Sequence, residues 1–217
     1  MKKGLTELVF IIDRSGSMSG LESDTIGGYN AMLEKQKTEP GEALITTVLF
    51  DDRYELLHDR INLKGVKPIT DKEYYVRGST ALLDAIGNTI NKIVNAHRHT
   101  SKEEVAEQTL FVITTDGMEN ASREFSYDKV RQMIEYQKNK YGWEFIFLGA
   151  NIDAVETAQR FGIQHDRAAD YNADGEGTML NYDVISEAVS NIRANRKITE
   201  NWKERIEEDY EKRKTKR

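Results

Sequence analysis

Four runs of strand length are apolar or β-branched nearly throughout: LVFII at 8–12, ALITTVLF at 43–50, QTLFVITT at 108–115 and WEFIFLGA at 143–150. A strand with one wet face alternates apolar and polar residues, so runs without alternation call for cover on both faces. Between them lie segments of helical spacing. Residues 80–96 carry Leu82, Leu83, Ile86, Ile90, Ile93 and Val94 at that spacing, and residues 21–38 carry Ile26, Tyr29, Met32 and Leu33. Gly27–Gly28 weakens the second of these helices and Pro40–Gly41 ends it. Further helices are expected at 127–140, 152–161 and 182–195, with a weak strand near 168–171. The turn at Asp51–Asp52 leads from 43–50 into 53–61, the second arm of a hairpin. This order predicts an α/β fold: a doubly wound, Rossmann-like, mostly parallel six-stranded sheet with one antiparallel edge strand and helices on both faces.

One domain over 1–197 accounts for these elements, with a charged C-terminal helical tail over 198–217. In the tail, Trp202, Ile206 and Tyr210 recur every fourth residue and form a narrow apolar stripe on a helix. That stripe can dock on its own domain or on a partner; a solvated, partly frayed helix is the plain alternative.

Composition removes several function classes. There is no cysteine, which excludes disulfides, thiolate metal sites and cysteine nucleophiles. The net charge of −6 gives no argument for nucleic acid, and the basic end of the tail is preceded by acidic residues. The apolar stretch at 8–12 is too short for a signal peptide and reads as a core strand. No run approaches the roughly 20 apolar residues needed to span a bilayer. The expectation is a soluble, cytoplasmic chain without a nucleic-acid or membrane partner.

The chemistry gathers where strands end. Asp13 closes the first run and is followed by Ser15 and Ser17; Asp116 closes the run 108–115; Thr80 stands where a loop opens into a helix. In a doubly wound sheet, ligands bind beyond the carboxyl ends of the strands, where the strand order reverses. If the strands at 7–13 and 108–115 are neighbours, the two carboxylates meet there. Two carboxylates and three hydroxyls are hard oxygen donors suited to Mg²⁺, with Mn²⁺ or Ca²⁺ as alternatives. A purely local reading uses the same residues as helix caps and turn formers.

Other residues have two readings each. Asp51 and Asp52 either reach the rim of the site or only form the hairpin turn. Asp84, one helical turn after Thr80, either supports the site or is solvated, and Asn120 and Ser122 are candidates to orient Asp116 or the rim. Arg14 is expected to lie exposed at the mouth, where it either steers an acidic partner or is simply solvated. His97 and His99 have no third ligand nearby and are expected in a solvated connector.

The segments DRSGSM, GSTALLDAI and FVITTDGMENAS together resemble a von Willebrand factor A (vWA) domain with a metal-ion-dependent adhesion site (MIDAS). The family pattern of Asp-x-Ser-x-Ser, a distant Thr and an Asp in a TDG-like turn falls on Asp13, Ser15, Ser17, Thr80 and Asp116. The wording of these motifs is nearest to compact intracellular bacterial and phage members, and the resemblance covers about residues 6–195. It implies a divalent ion at the top of the sheet. It also implies a binding module, not an enzyme, in which the metal captures an acidic side chain from a partner protein. The oligomeric state has no signal in the sequence.

Two rival functions are weighed against this one. A metal-dependent hydrolase would use Asp13 as nucleophile. Ser15 stands where such enzymes commonly carry a second Asp, and no Gly-x-Ser-x-Gly elbow or phosphate-binding glycine loop is present. A scaffold would instead bind its partner through the stripe in the tail.

Overall fold

The computed structural model describes residues 1–214. Strands β1 (Lys2–Asp13), β2 (Glu42–Phe50), β3 (Tyr54–Asn62), β4 (Ala106–Thr115), β5 (Glu144–Gly149) and β6 (Ala168–Asp170) form one sheet in the order β3-β2-β1-β4-β5-β6. β1 pairs in parallel with β2 on one side and β4 on the other, and only β3, the second arm of the hairpin, is antiparallel. The strand order reverses between β1 and β4, so the carboxyl ends of these two strands flank the crevice of the fold.

Both faces of the sheet are covered, as the unbroken apolar runs require. Leu8, Phe10 and Ile12 of β1 face a core shared with α1 (Glu22–Thr38) and α5 (Gly175–Arg193). Val9 and Ile11 face a second core, beneath α2 (Leu82–Arg98), α3 (Tyr127–Tyr141) and α4 (Ala154–Arg160). Each large side chain buried in this way contributes about 1.5–3 kcal/mol, which outweighs the weak helix propensity of elements such as α1 with its two adjacent glycines.

Three elements differ from expectation. α5 begins at Gly175, two turns before residue 182, because Asp174 caps it by accepting a hydrogen bond from the Gly177 N–H at 2.9 Å. α2 runs on to Arg98, so His97 belongs to its last turn; the ring lies edge-on to Trp143, with Nε2 3.4 Å from Glu7 Oε2. The tail forms a short turn at 200–203 and then α6 (Glu204–Lys214). Its stripe is used within the chain. The Trp202 indole N–H donates to the Asp166 carbonyl at 2.7 Å, and Ile206 is buried in the core under α1 and α5. The last three tail residues, 215–217, lie outside the described residues. Among the described residues, no helix is long and apolar enough to cross a membrane.

Candidate metal centre

β1 delivers Asp13 to the carboxyl edge of the sheet and β4 delivers Asp116 just past its own last residue, Thr115. Because β1 and β4 are paired neighbours, the two carboxylates reach the same crevice. After Asp13 the chain turns sharply. The Gly16 N–H donates to the Gly78 carbonyl at 3.1 Å, and the Met18 N–H closes a turn on the Ser15 carbonyl at 3.0 Å. This turn points Ser15 and Ser17 at one another, with their hydroxyls 3.1 Å apart.

The five expected residues come together. The Thr80 hydroxyl donates to Ser15 Oγ at 3.0 Å, and the Ser17 hydroxyl donates to Asp116 Oδ1 at 2.5 Å. The Asp13 carboxylate stands behind this chain. It accepts the Ser15 N–H at 2.7 Å on Oδ1 and the Thr115 hydroxyl at 2.5 Å on Oδ2. Asp116 Oδ2 is buried without a hydrogen-bond partner. Gly117 borders the cluster, where a Cβ would stand 2.9 Å from Ser17 Oγ and 3.2 Å from Thr80 Oγ1. Ser17 and Gly16 are exposed, so the cluster opens to solvent on their side.

Burial dominates the electrostatics. It pushes the Asp13 carboxyl up to about 6, against the opposing effect of its hydrogen bonds from Thr115 and Ser15. Asp116 is also raised, first by burial and in spite of the Ser17 hydroxyl. Among the described residues, no group of three or more His, Cys, Asp or Glu side chains converges. The oxygen count at this centre is made up by hydroxyls.

Arg14 is not at the mouth. Its side chain is fully buried, with Nε 3.2 Å from Asp51 Oδ2 and Nη2 2.6 Å from Glu55. Asp51, equally buried, also takes Arg77 Nε at 2.6 Å, and its carbonyl accepts the Ala81 N–H. Asp51 therefore ties the loop after β1 to the loop that carries Thr80. The reason is local: Asp13 and Ser15 face the crevice, and the intervening side chain turns to the opposite side, under the hairpin.

Asn120 orients Thr80 and not Asp116, accepting the Thr80 N–H at 2.9 Å. Asp84 makes no bond to the cluster and holds the Arg123, Glu124 and Phe125 N–H groups. Ser122 receives the Asp84 N–H on its hydroxyl and donates to Glu119. Two supporting residues were not expected. Glu119 accepts the N–H of Leu83 at the start of α2, and the Tyr74 hydroxyl donates to the Asp13 carbonyl at 2.6 Å. Their partners lie 36 and 61 residues away along the chain, so no local pattern announces them.

No protein-family model matches the chain, and no curated protein sequence matches it. Solved structures do match its fold. The vWF domain of the type V pili tip protein Mfa5 from Porphyromonas gingivalis superposes with a TM-score of 0.60 at 10% identity, covering 89% of this chain and 98% of that one. Proximal thread matrix protein 1 from the mussel byssus gives 0.62 at 17% identity, over 86% and 46% of the two chains. A second structure of it, described as having a zinc-occupied MIDAS motif, gives 0.57 at 13%, over 85% and 46%. Manganese-loaded TRAP protein from Plasmodium vivax gives 0.59 at 17%, over 83% and 72%. The chain thus spans about half the length of the byssal protein. The fold is that of vWA domains, including those of adhesion and pilus proteins.

The comparisons correct one expectation. Byssal threads and pili are extracellular structures, so the cytoplasmic placement, and with it the affinity to intracellular bacterial and phage members, is withdrawn. Neither the lack of cysteine nor the shortness of the apolar stretch at 8–12 is specific to one compartment.

Proposed function

We propose that this chain is a protein-binding module in which a divalent cation, held by Asp13, Ser15, Ser17, Thr80 and Asp116, takes a carboxylate from a partner. The observation that carries the reading is the convergence of three hydroxyls and two buried carboxylates, one with an orphaned oxygen. The donor set fits a hard ion such as Mg²⁺, with Mn²⁺ or Ca²⁺ as alternatives. The absence of a side chain at Gly117 leaves room beside Ser17 and Thr80. When bound, the ion would supply positive charge and an acceptor position for an outside oxygen. The metals named for two of the fold relatives support the same reading.

Catalysis by Asp13 has less support, since both of its oxygens already accept hydrogen bonds and the side chain is buried. Docking through the tail stripe is disfavoured because Trp202 and Ile206 are engaged within the chain.

Calorimetric titration of metal-stripped protein with Mg²⁺ and Mn²⁺, beside Asp13→Ala, tests the site. One saturable event, lost in the variant, is expected. Equal, non-saturating heats in both proteins would refute it. A partner captured in Mg²⁺ should be released by EDTA and fail to bind Asp116→Ala.

A further inference from the structure

Tyr136 and Tyr141 are 50% and 55% exposed and lie at the end of the sheet opposite the candidate metal centre. They border a cavity of about 520 Å³ between the C-terminal ends of α2 and α3 and the starts of β4 and β5. Val94 and Trp143 line it as well, and Arg98 and Lys102 bring its charge. The volume falls within the range of about 300–1,000 Å³ typical of ligand pockets, and exposed tyrosines around a hydrophobic floor are what partner anchors bury.

The charge is one-sided. No acidic residue lines the cavity, and among the described residues neither the Arg98 nor the Lys102 side chain has a hydrogen-bond or ion-pair partner. This occurs in a chain whose net charge is −6. Arg98, in the last turn of α2, also suits the negative end of its own helix. Lys102 stands in the connector after α2 and has no such role.

We propose that this cavity is a second docking site, for a partner segment in which an apolar or aromatic side chain stands between carboxylates. The apolar side chain enters against Trp143 and Val94, and the flanking carboxylates meet Arg98 and Lys102. No metal is involved, so the site is independent of the function proposed above.

The test uses the full chain labelled with ¹⁵N and the probe peptide acetyl-Glu-Glu-Leu-Phe-Glu-Glu-amide. The chain has two tryptophans: Trp143 lines the cavity, and Trp202 donates its indole N–H to Asp166. The expected result is a saturable shift of the Trp143 indole resonance, with Trp202 unmoved and no change on adding EDTA. Affinity should fall about tenfold or more for the Lys-flanked analogue of the peptide, and equally for the Arg98→Glu, Lys102→Glu protein. Both substituted positions are exposed, so the fold tolerates the change. Absence of a saturable Trp143 shift, or equal affinity for the Glu- and Lys-flanked peptides, overturns the proposal. If this peptide fails while Mg²⁺ binds normally, only the second site is refuted.

Discussion

Two buried polar clusters lie side by side at the carboxyl edge of the sheet, and they meet the same problem differently. In one, the buried carboxylate of Asp51 is answered by the guanidinium groups of Arg14 and Arg77. In the other, Asp13 and Asp116 have only hydroxyl and N–H donors, and one Asp116 oxygen has no partner. A buried charge is costly unless paired. The first cluster is complete in the protein alone, whereas the second is the one that, in the function proposed above, a cation would complete. Asp13 and Arg14 are adjacent in the chain, yet each belongs to a different cluster.

The sharpest way to break this contrast is to remove one carboxylate from each cluster. Asp51→Asn leaves the buried Arg14 with Glu55 as its one carboxylate partner and should cost about 3–5 kcal/mol in chemical denaturation. Asp116→Asn in metal-free buffer should leave stability unchanged or slightly raised, since no ion pair is lost. Equal losses in the two variants would erase the distinction.

Adding Mg²⁺ should raise the stability of the unaltered protein by about 2.7 kcal/mol at a hundred times its Kd. The Asp116→Asn protein should gain none of this, as read by the shift of the denaturation midpoint. Gly117→Ala brings a methyl group against Ser17 and Thr80, so calorimetry should find Mg²⁺ affinity reduced by roughly 10–100-fold. Wild-type affinity in that variant would place the ion elsewhere.

The smallest effect concerns a residue outside both clusters. His58 Nδ1 lies 2.9 Å from Thr47 Oγ1, and burial lowers its pKa below the ordinary value. The folded protein therefore binds this proton less readily than the unfolded chain. Its contribution is nil above about pH 7, and stability declines as pH falls through about 6.5 toward the folded-state pKa. Denaturation midpoints at pH 7.5 and 5.5 should differ more for the natural protein than for His58→Gln.

Much of the site was legible before the structure because its residues sit at element ends. Asp13 and Asp116 follow unbroken apolar runs, and in a parallel sheet the ends of adjacent strands share one edge. Thr80 precedes the amphipathic pattern of α2. The helix start at Gly175 was harder to read, since Gly-Glu-Gly has poor helix propensity and Asp174, its cap, resembles any turn residue. Arg14 misled because a charged residue between two site residues reads as solvent-facing. Its partners Asp51 and Glu55 are 37 and 41 residues away.

Periodicity and run length by themselves determined the layered α/β architecture and the antiparallel edge arm, and put Asp13 and Asp116 at the ends of strands. Each of these follows from local spacing and from the need to bury apolar surface. Only the tertiary structure decided how buried charge is settled: Arg14 and Arg77 on Asp51, Glu119 on the start of α2, and Asp116 with an oxygen unanswered. Pairing of this kind depends on which distant segments the folded sheet brings within a few ångströms, and on the low dielectric that makes each pairing count.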